Sequence, residues 1–267
     1  IVAAAGLQEG IINTKSEIFC TGKYLFYSDY QPGCLSHGHG RENLDVSQAL
    51  QHSCNIFFYD VGRILGINRM NMYANYFGLG TDTGLEIPST VGNLSSREFS
   101  ESHNANWENG NVIQAAIGQM DTSITPLQMA IEASTIANKG TRYNAHLIKG
   151  FLTHDMKETV YEKPASIASE FDMSQENYDA ITKGMIAAGA GISSPNQLTD
   201  LGYQVAVKTG TPQVSSTKTN TAFIAFKPVD KPQVAVSCLL DDGQNCSELI
   251  RRILLAYDKH FNTNIQE

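Results

Sequence analysis

Lys208-Thr209-Gly210-Thr211 closes a run in which Tyr203, Val205 and Val207 alternate with other residues. That period of two belongs to a strand. The segment therefore reads as a strand end carrying a cation and two hydroxyls. Far upstream, Ser53-Cys54-Asn55 interrupts two apolar helical stretches, where a loop can face a cleft. Lys-Thr-Gly and Ser-x-Asn are two of the three elements of one serine acyl-transfer constellation. Such chemistry needs a nucleophile, a base to activate it, and fixed N–H donors for the oxyanion. In that arrangement Ser53 relays protons toward the leaving group and Asn55 holds a substrate amide. Lys208, Thr209 and Thr211 engage a carboxylate, and Gly210 lets the substrate come close to the strand. The third element is Ser-x-x-Lys on a buried helix, serine and lysine sharing one face. It is expected just before Ile1.

The bland readings compete with these. An isolated Ser-x-Asn is usually a polar turn, and the chain has two more, at Ser102-His103-Asn104 and Ser194-Pro195-Asn196. Only Ser53 lies between apolar helical stretches. Lys208 as a solvated turn lysine is the alternative for the strand motif. A literal Ser-x-x-Lys at Ser215–Lys218 follows the Lys-Thr-Gly strand, sits in polar sequence and leads into no apolar helix. It reads as a hairpin loop.

Net charge is −8 with no long basic run, so nucleic acid is excluded as a partner. No stretch approaches ~18 uninterrupted apolar residues, so no spanning helix is expected. Hydrophobic residues at 42% and charged residues at 17% suffice for a sizeable core.

The positioning elements follow from pattern. Residues 1–10 read as the end of a buried helix stopped by Gly10, and 13–45 as loop. Leu44 to Ile64 reads as helix, break at Ser53, helix. Residues 78–94 are turn-rich. Thr125 caps a helix with Pro126 in its first turn, running to about Asn138. A strand pair is expected at 145–164 and a helix at 174–188. Three strands follow at 202–209, 221–226 and 233–240, the last two joined by a hairpin at 228–232. A final helix from Asn245 presents Leu249, Ile250, Ile253, Leu254 and Tyr257 as one stripe. Helices followed by antiparallel strands give an α+β fold, a sheet covered by helices.

Five cysteines exclude a purely disulfide framework. Cys20, Cys34, His39 and Cys54 offer four soft ligands for a structural zinc. A Cys20–Cys34 disulfide and unpaired thiols are the alternatives. Cys238 and Cys246 read as core or surface thiols. Trp107 and Phe57, Phe58 and Tyr59 read as core or cleft wall.

The chain resembles the transpeptidase domain of penicillin-binding proteins. The resemblance rests on 44–59 (LDVSQALQHSCNIFFY), 77–88 (FGLGTDTGLEIP), 117–130 (IGQMDTSITPLQMA), 136–140 (IANKG) and 207–214 (VKTGTPQV), in the family's order. The SCN-x-FFY form is most similar to class B members of the elongation or sporulation type. It implies the penicillin-binding protein/β-lactamase-like fold, with 1–267 as the C-terminal part of a single transpeptidase domain, incomplete at its N-terminus. The nucleophile and two further strands are then expected upstream of Ile1, and the chain alone is expected to fold poorly. Further implications are peptidoglycan stem peptides as substrate, β-lactam antibiotics as ligands and no cofactor for catalysis. A membrane glycosyltransferase is implied as partner, and a place on the extracytoplasmic face of a bacterial membrane, the anchor lying outside this sequence. Pro212 departs from the family's small residue but leaves the Thr211 N–H, the implied oxyanion donor, intact. A scaffold lacking the nucleophile is the alternative. A β-lactamase or penicillin sensor is disfavoured, since no deacylating base follows Ser53-Cys54-Asn55.

Overall fold

The computed structural model describes residues 1–34, 41–241 and 245–261. Small apolar residues at the start make helix α1 (Val2–Gln8), with Ala3 to Leu7 buried. Among its described residues, the expected loop at 13–45 carries two short strands, β1 (Ile18–Phe19) and β2 (Asn43–Leu44), paired antiparallel. Helix α2 (Val46–His52) starts with a capping box between Asp45 and Gln48. Helix α3 (Asn55–Leu65) follows after Ser53 and Cys54. Helices α4 (Ile67–Tyr76), α5 (Arg97–Ser102) and α6 (Asn109–Ala116) come next.

Helix α7 (Pro126–Ala137) begins as expected, with Thr125 and Gln128 forming its capping box. Two small antiparallel pairs follow, β3 (Thr141–Tyr143) with β6 (Ile167–Glu170) and β4 (Gly150–Leu152) with β5 (Thr159–Glu162). Ser174 caps α8 (Gln175–Ala190). The chain then forms β7 (Ala206–Gly210), β8 (Thr221–Lys227), β9 (Val234–Leu240) and α9 (Cys246–Phe261).

The last three strands form an antiparallel sheet, order β7-β8-β9, with Lys208 opposite Ile224 and Phe223 opposite Cys238. Alternation sorts their side chains onto two faces. Ala206, Ile224 and Phe226 join the main core with α1, α3 and α8. Val207, Phe223, Ala225 and Cys238 pack against Cys246, Ile250 and Leu254 of α9. This is the expected α+β arrangement, a sheet between helices.

Two features hold the frame on which the motifs sit. Helix α8 lies so close to α2 that a Cβ on Gly184 would stand 2.5 Å from the Ser47 carbonyl oxygen. Ser47 Oγ also donates to Ala180 O at 2.7 Å. At the far end of β8, Lys227 is fully buried and pairs with Asp258 of α9. Tyr203 donates to the same carboxylate at 2.5 Å. The buried face of α9 is therefore Cys246, Ile250, Leu254 and Asp258. That corrects the expected stripe: Leu249 and Ile253 lie at its exposed edges, and a charge completes the apolar row. Phe57 and Tyr59 are core, whereas Trp107 is only half-buried.

Candidate active site

Helix α2 stops at Ser53 because that residue adopts a left-handed conformation, φ 52° and ψ 48°. A non-glycine residue there costs on the order of 1–3 kcal/mol and persists only where its surroundings hold it. The Ser53 N–H still reaches Ala49 O and Leu50 O, and Cys54 N bonds to Ala49 O at 3.0 Å. Cys54 is then the N-cap of α3 and Asn55 its first residue. The turn so formed puts Ser53 Oγ within 2.6 Å of Lys208 Nζ, across 155 positions of sequence.

Lys208 also donates to Thr209 O at 2.7 Å. Both acceptors are neutral, and among the described residues no carboxylate lies within 4 Å of this ammonium. Burial pushes the Lys208 pKa down to about 8, because a half-enclosed charge without a counter-ion favours its neutral form. Thr209 on β7, an edge strand among the described residues, and Thr211 just past its end are both exposed beside it. A Cβ on Gly210 would meet nothing nearer than Ala222 Cβ at 3.6 Å. The fold does not require glycine there, which leaves open space along the edge. Lys208 further shares a small cavity of about 50 Å³ with Ile1, Ala3 and Ala4 of the first helix and with Glu132. The start of α1 thus opens toward the Lys208 side of the site.

Asn55 is placed differently from Ser53. Its Nδ2 lies 3.4 Å from Gly33 O, a long contact to the cysteine-bearing loop. The Sγ atoms of Cys20, Cys34 and Cys54 lie within 4.8 Å of one another, with Cys34 and Cys54 3.9 Å apart. All three are thiols, so the Cys20–Cys34 disulfide is not formed. His39 lies outside the described residues. Cys54 is buried while Ser53 faces Lys208: adjacent residues point to opposite sides of the turn.

The other motif copies stay apart. Ser102 ends the short polar helix α5 and bonds back to Phe99 O. Ser194-Pro195 is a turn. Ser215 Oγ accepts from the N–H groups of Thr217 and Lys218, a closed loop tip with no helix behind it.

The sequence profile described as the penicillin-binding protein transpeptidase domain matches residues 1–257. The chain belongs to this family. Among curated relatives, it is 28% identical over 267 residues to the peptidoglycan D,D-transpeptidase MrdA of Acinetobacter baumannii, covering 91% of this chain and 38% of that protein. Stage V sporulation protein D of Bacillus subtilis is 29% identical over 252 residues, covering 91% of this chain and 37% of that protein. The chain thus spans about two fifths of the length of these relatives. Among solved structures, penicillin-binding protein 2 of Pseudomonas aeruginosa superposes with a TM-score of 0.81 at 25% identity, covering 99% of this chain and 60% of that one. Penicillin-binding protein 2B of Streptococcus pneumoniae gives 0.83 at 20% identity, covering 99% and 47%, a likeness of fold. The relatives are class B transpeptidases of the elongation and sporulation types, in keeping with the SCN-x-FFY signature.

Proposed function

We propose that residues 1–267 are the C-terminal part of a peptidoglycan D,D-transpeptidase domain whose nucleophilic serine precedes Ile1. The observation that carries this reading is the 2.6 Å contact between Ser53 Oγ and a half-buried Lys208 that, among the described residues, has no carboxylate within 4 Å. A serine one or two turns before Ile1, on a continued α1, would enter beside the cavity shared by Ile1 and Lys208. Its Oγ attacks the carbonyl carbon between the two terminal D-alanines of a stem peptide. The amide C–N bond breaks; the proton of the attacking serine passes to the Ser-x-x-Lys lysine expected beside it and on to Ser53, which hands its own proton to the departing D-alanine nitrogen. An amine of a second stem peptide then attacks the acyl-serine ester, and the serine leaves with the proton. Lys208, Thr209 and Thr211 hold the terminal carboxylate, Asn55 the substrate amide, and the Thr211 N–H the oxyanion. β-Lactams enter by the same acylation. Release of D-alanine from a D-Ala-D-Ala peptide by a chain extended upstream of Ile1 tests this directly.

The Lys208 cation sets a pH dependence. Below about pH 8 Lys208 is charged in the folded state and meets a substrate carboxylate. Between that value and its ordinary lysine range, the folded protein has released a proton that the unfolded chain still holds. The burial penalty is therefore present below pH 8 and relieved above it, while the carboxylate contact is lost. The second-order constant for β-lactam acylation is expected to fall as pH rises through about 8, reporting the free enzyme. A flat profile from pH 7 to 10 would remove Lys208 from carboxylate binding.

The three thiols fit a structural zinc. A tetrahedral ion with bonds of about 2.3 Å keeps its sulfurs about 3.8 Å apart, and Cys34 and Cys54 already stand at 3.9 Å. The Cys34 contact and then burial raise the Cys54 pKa, while burial chiefly raises that of Cys20. Thiolates here therefore need a cation, and a divalent ion would supply it. Cys20, Cys34 and Cys54 would hold the ion; His39, the fourth ligand expected from the sequence, lies outside the described residues. Elemental analysis is expected to give one zinc per chain. Chelation is expected to lower the melting temperature by more than the about 2–4 °C that one kcal/mol is worth at this size. Metal-free protein with an unchanged melt would refute the site.

The same reading places the protein on the extracytoplasmic face of a bacterial membrane, beside a glycosyltransferase. No helix among the described residues is long and apolar enough to cross a membrane. A solved peptidoglycan synthase complex described as coordinating polymerization and crosslinking matches this fold, with a TM-score of 0.80 at 20% identity.

A further inference from the structure

The loop that bears Cys20 and Cys34 is closed at its base by a bridge between Lys23 and Gly33, with Tyr24 N bonded to Pro32 O and Cys34 N to Gly22 O, both at 2.9 Å. Tyr24 pins the base to α3: its OH donates to Asp60 at 2.9 Å, and its ring meets Tyr59 edge-on at 5.5 Å. The tip reaches elsewhere. Tyr30 crosses to α6 and lies on the backbone of Gly110, where a Cβ would come within 2.7 Å of the ring. One helical turn on, Gln114 Nε2 donates to Tyr30 OH at 2.7 Å and lies 3.5 Å from Tyr59 OH. Gly110 is the second residue of α6, and its lack of a Cβ is what lets the Tyr30 ring lie against its backbone. At the base, three residues on from Tyr30, Gly33 O faces Asn55 Nδ2.

We propose that Tyr30, seated on Gly110 and held by Gln114, is a latch that positions the Asn55 side chain through the Gly33 carbonyl. Tyr30 is a positioning residue, set apart from the thiol cluster at the loop's other end. The inference rests on the transpeptidase reading, in which Asn55 holds the substrate amide. With the latch open, the loop leaves α6, Gly33 O withdraws, and Asn55 samples rotamers that miss the substrate.

The test uses the chain with its residues upstream of Ile1. Tyr30→Ala is expected to lower the β-lactam acylation constant about 10- to 100-fold, the scale of an ångström-level misplacement. Gly110→Ala is expected to act in the same direction by lifting the ring. Tyr30→Phe keeps the ring on Gly110, loses one hydrogen bond, and should recover most of the rate. In an Asn55→Ala background, Tyr30→Ala is expected to change the rate by no more than about 2-fold, which a general structural weakening would not produce. An equal loss in both backgrounds overturns the proposal. Hydrogen exchange reads the latch without acylation: Tyr30→Ala should speed exchange at 53–58 and leave α8 unchanged. Unaltered exchange at 53–58 overturns the latch even if the protein is never acylated, and absent acylation with altered exchange overturns only the transpeptidase reading.

Discussion

Ser53→Ala is expected to lower the rate of β-lactam acylation by about 10²- to 10⁴-fold, the range for a lost proton-transfer group. Ser53 Oγ is the atom that Lys208 Nζ meets at 2.6 Å, so the substitution removes the relay and leaves the ammonium one acceptor short. Alanine in the left-handed conformation of Ser53 also strains the turn. Ser53→Gly separates the two effects, because glycine adopts that conformation freely while lacking the hydroxyl. Equal losses in both variants, with the alanine form alone less stable, place the effect on Oγ. Stopped-flow acylation and thermal melts measure the two quantities. A glycine variant within about 3-fold of the parent would show that Ser53 only shapes the loop, since general acid–base catalysis is worth far more than that.

Asp258→Ala is expected to cost about 3–5 kcal/mol of stability, because it strands a buried cation. Lys227 is wholly buried, and Asp258 with the rings of Tyr203 and Tyr257 encloses it. Removing the carboxylate leaves no anion in that pocket among the described residues, and Tyr203 loses its acceptor as well. Replacing the pair together, Lys227→Met with Asp258→Leu, is expected to recover most of the loss, since an apolar pair of similar volume often equals a buried ion pair. Urea unfolding of the single and double variants reads both values. A loss under about 1 kcal/mol in the single variant would mean that water reaches Lys227, as at an exposed pair. The pair lies at the opposite end of the sheet from Gly210, so an acylation defect in this variant would track its unfolded fraction.

The strongly periodic parts of this fold were legible in the sequence. The strand alternation into Lys208, the Thr125 cap ahead of Pro126 and the helix expected at 174–188 rest on local signals, and they stand where pattern puts them. Helices α4, α5 and α6 were not. Helix α5 buries only Ser100, so no apolar stripe announces it. Helix α6 opens on Asn109, Gly110 and Asn111, poor helix formers that its packing against α3 and Tyr30 overrides. The expected pair at 145–164 is β4 with β5, whereas β3 and β6 have three and four residues, too few to establish a period. Asp258 was missed because a charged residue at an apolar position of α9 breaks the pattern, and its partner Lys227 is 31 positions away.

At the site, residue types were legible but their pairing was not. Ser53 and Lys208 could be picked from motifs, while their contact depends on a left-handed turn and on α2 packing against α8. The clustering of Cys20, Cys34 and Cys54 was suggested by composition, and the turn at Ser53 explains it by sending Cys54 away from the cleft. Tyr30 and Gln114 left only one trace, a glycine in a helix, whose meaning needs the loop that lies across it.

The central claim is that this fold presents a Ser53–Lys208 site to a serine carried just upstream of Ile1. Intact mass and peptide mapping after penicillin treatment of the upstream-extended chain test it most directly. The account predicts one covalent penicilloyl adduct, on a serine a few residues before Ile1, lost on substitution of that serine and slowed by Ser53→Ala. A well-folded, unmodified protein, or an adduct on a serine within 1–267, would contradict it.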